Sequence, residues 1–147
     1  MTLIDRKQNQ PKERWLRWRP IADLPRELYL EELIDNRDGL TLRLSEGNNS
    51  RILQIRFDGY YAYRNMNEGD CLVGDRYVES EKDTNLVKVP LYTVQNSHYM
   101  EWFHCKSCGV RKNDRIIHYV VTTPEDMVEI LDLDSPEEPP SVNWITR

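Results

Sequence analysis

The residues of this chain best suited to chemistry stand together in His104-Cys105-Lys106-Ser107-Cys108-Gly109. Two thiolates separated by two residues can point at one tetrahedral ion, and a following glycine suits the turn that a zinc knuckle needs. A closed structural site wants four ligands, and the other candidates are Cys71, His98, His104 and His118. Cys71, Cys105, Cys108 and His104 are thus the alternative metal set. The pair itself reads as two ordinary thiols near a turn, with no metal or other cofactor expected. A redox role fits less well. Reactive Cys-x-x-Cys pairs sit where a helix N-terminus favours the thiolate, whereas this pair falls at the end of an expected helix.

A nucleophile pair could be drawn between Cys105 and His118, but the sequence supplies neither an orienting third group nor a glycine turn for an oxyanion. His118 lies in Ile116-Ile117-His118-Tyr119-Val120, opposite in parity to Ile117, Tyr119 and Val121, and reads as a satisfied or half-exposed strand histidine. Phosphate-binding glycine loops, nucleophile elbows and metalloprotease helices are all missing from the sequence. No enzyme is expected.

The elements that would position these residues follow from periodicity. Residues 1–14 are polar and aperiodic, which predicts a flexible arm. Trp15-Leu16-Arg17-Trp18-Arg19-Pro20 interleaves bases with aromatics, as nucleic-acid or membrane contacts do, but reads first as an arm pinned by its indoles. Asp23-Leu24-Pro25 predicts a helix start, with Leu30, Leu33 and Ile34 on one face and Asn36 to Gly39 as the stop. From Leu40 the period becomes two. Leu40, Leu42 and Leu44, a Glu46–Ser50 turn, then Leu53, Ile55 and Phe57 predict a hairpin. Gly59 suggests a bulge before Tyr60, Tyr61 and Tyr63. Cys71 to Val73 reads as a short strand, Glu79 to Asn85 as a polar loop, and Leu86 to Val94 as a strand interrupted by Pro90.

Asn96 or Ser97 can cap a helix bearing Tyr99, Trp102 and Phe103, ended by Gly109. Arg115 to Thr123 and Met127 to Leu133 predict a second hairpin, and residues 134–147 an extended Pro-rich tail tacked down by Trp144. Phe57, Trp102, Phe103 and Tyr119 are the expected buried aromatics. The fold class this implies is α+β: a single domain over residues 1–147, mainly antiparallel β-sheet with two or three helices packed on it.

Bulk properties agree with a folded domain. The chain has 147 residues, of which 39% are hydrophobic and 31% charged, and a domain of this size buries roughly 68–70% of its unfolded surface. No run approaches the roughly 18–20 apolar residues of a bilayer span, so no membrane is expected. The first eight residues lack an apolar core such as a signal peptide carries, which points to the cytoplasm and to reduced cysteines. The net charge of −5 is uneven, with +4 in residues 1–20 and −9 in the rest. After His118, seven acidic residues face only Arg147. Such a surface disfavours nucleic acid and steers basic partners, and the candidate contact residues are Glu125, Asp126, Glu129 and Asp132. The plain alternative is a solvated acidic face.

Ser97-His98-Tyr99-Met100-Glu101-Trp102-Phe103, His118-Tyr119-Val120-Val121-Thr122-Thr123 and Val128-Glu129-Ile130-Leu131 with a proline-led close resemble small bacterial proteins grouped with the immunity proteins of polymorphic toxin systems, of the contact-dependent inhibition type. The likeness covers roughly residues 50–143. It implies a cytoplasmic inhibitor that neutralises one cognate toxin by tight binding, and it carries over no contact residue. The expected partner is therefore a protein, a basic toxin. The alternative is a small zinc-containing or nucleic-acid-associated regulator using Cys105, Cys108 and the basic arm.

Overall fold

The computed structural model describes residues 12–47, 51–67, 76–78 and 89–146. The expected strand at Cys71 to Val73, the loop at Glu79 to Asn85 and most of the N-terminal arm lie outside the described residues. Among the described residues, ten strands form two sheets. β1 (Glu13–Arg17), β5 (Tyr60–Asn67), β6 (Arg76–Val78), β7 (Leu91–Gln95), β8 (Ile116–Thr122) and β9 (Asp126–Leu133) make a six-stranded sheet in the order β5-β9-β8-β7-β1-β6. β2 (Tyr29–Asn36), β3 (Gly39–Ser45), β4 (Arg51–Phe57) and β10 (Ser141–Thr146) make the second, in the order β10-β4-β3-β2. All neighbours are antiparallel except β1 and β6. The helix α1 (His98–Lys106) stands alone among the described residues.

The expected α+β class is therefore corrected. Strands take 55% of the described residues and helix 8%, in two sheets rather than one sheet under two or three helices. The misread segment is Asp23 to Asn36, which forms a loop and β2 instead of a helix. The physical reason is a bulge. β2 pairs Leu30 with Leu44 and Leu33 with Leu42, and its register shifts between Leu30 and Glu32. One inserted residue puts side chains three apart on the same face, so a bulged strand imitates helical spacing. Asn36 to Gly39 is then a hairpin turn, in which Gly39 has φ 124° and any Cβ would meet the Phe57 carbonyl at 2.8 Å.

The core lies between the sheets. Leu40, Leu42 and Leu44 oppose Phe57, Ile55 and Leu53 across β3 and β4, as the alternation predicts, and all six are fully buried. Val121, Tyr119, Val128 and Ile130 close on them from the six-stranded sheet. Trp18 packs into this layer, its ring 4.7 Å from Tyr119, whereas Trp15 is buried on the opposite face beside Tyr92. Residues three apart in an extended chain face opposite ways, so the two indoles pin β1 from both sides. The Pro-rich tail ends as β10 on β4. Trp144 donates to Asp23 at 3.1 Å, and the Arg51 guanidinium lies 3.8 Å above its ring. No helix among the described residues is long and apolar enough to cross a membrane.

Candidate functional site

The β8–β9 hairpin positions the acidic candidates, and its turn is held locally. Thr123 accepts from the amides of Glu125 (3.2 Å) and Asp126 (2.8 Å). Glu125 is exposed and Asp126 partly so. Beyond the turn, Glu129 and Asp132 stand three apart on β9 and face opposite sides of the sheet, yet both are covered. Glu129 is 3% exposed and Asp132 2%. A carboxylate that buried cannot meet a partner, so the expected contact set reduces to Glu125 and Asp126.

The turn shares its end of the molecule with the start of β2. Arg26, Glu27 and Leu28 line a cleft of about 240 Å³ with Thr122, Thr123 and Pro124, so a base stands next to the acids there. Tyr29 donates to Glu27 at 2.5 Å. Its phenol is pushed up first by that hydrogen bond and the Glu27 charge, with Glu125 adding a smaller push. Glu27, Tyr29 and Glu125 therefore form one electrostatic neighbourhood.

Glu129 belongs to a second arrangement, on the outer face of the six-stranded sheet. Antiparallel register sets Arg64 directly opposite Glu129 and Glu129 opposite Val120, which leaves His118 as its diagonal neighbour. Arg64 donates to Glu129 at 2.5 Å, and His118 Nε2 lies 3.0 Å from the other carboxylate oxygen. On its far side, His118 Nδ1 lies 2.7 Å from Ser97 Oγ. Burial alone would raise the Glu129 pKa, but the hydrogen bonds from His118 and Arg64 outweigh it and hold the carboxyl below its ordinary range. An ionised Glu129 can only accept, so Nε2 donates to it, and in the neutral imidazole Nδ1 is then the acceptor for the Ser97 hydroxyl. Tyr99 roofs the row, edge-on to His118 at 5.5 Å and with the Arg64 guanidinium 4.1 Å from its ring centre.

Ser97 also caps α1, as expected, with Oγ accepting from the Met100 amide at 2.9 Å. Asn96 before it turns the chain at φ 56°. Ser97 borders a groove of about 530 Å³ with Val94, Met100, Ile116, His98 and Lys112. By sequence alone, Cys105 is the candidate partner of His118, with no orienting group beside it. The chain provides Ser97 on one side and Glu129 on the other, residues whose separation of 21 and 11 positions becomes proximity only through strand pairing.

Cys105 and Cys108 are exposed free thiols at the end of α1, with Gly109 at φ 72° as the stop. Among the described residues no three potential ligands cluster as a metal site would require, and Cys71 lies outside them. Two further expectations are corrected. Trp102 is 51% exposed and Phe103 only half-buried, because the nine-residue α1 buries only Tyr99 fully. No family model, curated protein or solved structure matches the chain. Its class is accordingly an architectural one, a two-sheet antiparallel β domain.

Proposed function

We propose that this chain is a protein-binding domain of the immunity type, working in the cytoplasm, which neutralises a basic cognate toxin by covering it. The observation that carries the reading is the rim where Tyr29 donates to Glu27 and lies within the field of Glu125, the residue before Asp126. Tyr29 is 37% exposed, an aromatic ring set among carboxylates. A rigid tyrosine gives contact area at small entropic cost, and flanking acids select and steer a cationic surface. The overall charge of −5 acts in the same direction at longer range.

The test is affinity capture from the native cell with the wild-type chain and with a Glu27→Lys, Glu125→Lys, Asp126→Lys variant. A basic protein retained in stoichiometric amount by the first and lost by the second supports the reading. An acidic partner, or one retained equally by both, overturns the assignment of this rim.

A further inference from the structure

We propose that Ser97 is a reactive hydroxyl, activated by His118 and Glu129, that takes acyl or phosphonyl groups from small esters entering the groove beside α1. The proposal goes beyond protein binding and does not depend on it. Three features meet at Ser97. The first is the unbroken relay, with Oγ to Nδ1 at 2.7 Å and Nε2 to Oε1 at 3.0 Å. The second is its fixity: His118 is wholly buried and Glu129 is clamped by Arg64, so the imidazole cannot rotate away. The third is access, since Ser97 itself is only part-buried and lines the groove of about 530 Å³.

The chemistry is that of a serine paired with a base oriented by a carboxylate, recognised by geometry and not by order along the chain. Here Nδ1 faces the hydroxyl and Nε2 the carboxylate, and either ring nitrogen can serve as the base when the other is held as a donor. Ser97 Oγ keeps one lone pair for attack after accepting from Met100 and donating to His118. On an ester, the Oγ–carbonyl bond forms as the hydroxyl proton passes to Nδ1. The imidazolium is balanced by Glu129. The ester C–O bond then breaks, and the leaving alkoxide takes that proton. Water releases the acyl group by the same steps in reverse. Val94, Met100 and Ile116 fit a short apolar acyl chain.

The site also carries its own restraint. The His98 amide, at the helix N-terminus beside Ser97, is taken by the Glu13 carboxylate at 2.9 Å. An oxyanion formed at Ser97 must compete with that carboxylate for the same donor. Removing the Glu13 charge should therefore speed the reaction.

The experiment uses the full chain and a fluorophosphonate. Attack forms an Oγ–P bond and expels fluoride, leaving a stable adduct counted by intact mass and located by peptide mapping. The proposal expects one adduct per chain on Ser97 of the folded protein and none after denaturation. Ser97→Asn keeps a good N-cap without the hydroxyl and should be unlabelled. Glu129→Gln should label at least tenfold more slowly at unchanged circular dichroism, and Glu13→Gln severalfold faster. No adduct on the folded wild type, labelling of other serines at the same rate, or a Glu129→Gln variant that is folded and labels normally would each overturn the proposal.

Discussion

Asp132 is the residue at which burial and charge conflict most openly. Its side chain is buried, and Oδ1 has no hydrogen-bond partner. Burial first, and the neighbouring Asp58 charge second, push its pKa up to about 6. A raised carboxyl pKa makes the folded state bind the proton more tightly than the unfolded chain. The stability it contributes is full below about pH 3.8 and is lost as pH rises through about 6. Asp132→Asn keeps the shape and removes the charge. At pH 7–8 it should stabilise the protein by up to about 3 kcal/mol, from about 1.4 kcal/mol per pK unit, with the gain vanishing near pH 4. Melting curves of both proteins across that range give the answer, and a pH-independent difference would contradict it. The thiols make the opposite case. Because Cys105 and Cys108 are exposed, replacing both with serine should leave the melting temperature within about 2 °C, as surface substitutions usually do. A collapse of the fold in that variant, together with unfolding of the wild type by a chelator that added zinc reverses, would show that the alternative metal set is real.

The elements show how much of the fold was legible in the sequence. The hairpin of β3 and β4 was, because Leu40 to Phe57 alternates without interruption around a polar turn. The hairpin of β8 and β9 was legible for the same reason, and Ser97 announced α1 by its capping chemistry. β2 was hidden by its bulge, which gave Leu30 and Leu33 the spacing of a helix. A second bulge, between Tyr60 and Ala62, brings Tyr60 and Tyr63 to the same face, where both hydroxyls reach Asp35 and the rings meet edge-on. The sequence placed that irregularity at Gly59, which instead forms the turn between β4 and β5. Glu129 and Asp132 looked like surface charges because alternation reveals faces but not which faces are covered. The Ser97–His118–Glu129 row was illegible for want of pairing register. A pair of truncations tests the element assignments. Phe57→Ala, in the fully buried layer, should cost about 3–5 kcal/mol, while Trp102→Ala on the exposed side of α1 should cost far less. Denaturant midpoints rank the two, and equal losses would mean α1 is packed otherwise.

At the scale of the whole molecule, two features act together. On the proposed reading, a charge of −5 sets the long-range field, and the rim of Glu27, Tyr29, Glu125 and Asp126 is where a cationic surface would settle. Long-range attraction of this kind raises association rates and is screened beyond about 8–10 Å at ordinary salt. Exposed carboxylates contribute little to folding, so reversing them separates binding from stability. The most direct measurement is the association rate of the captured partner by stopped flow, from about 0.05 to 0.5 M salt, for the wild type and for the Glu27→Lys, Glu125→Lys, Asp126→Lys variant. Steering by this rim predicts a wild-type rate that falls at least tenfold across the range. The variant should start slow and change little, at an unchanged melting temperature. Rates that are equal in the two proteins, or indifferent to salt, would contradict the reading and leave the acidic rim a solvated face.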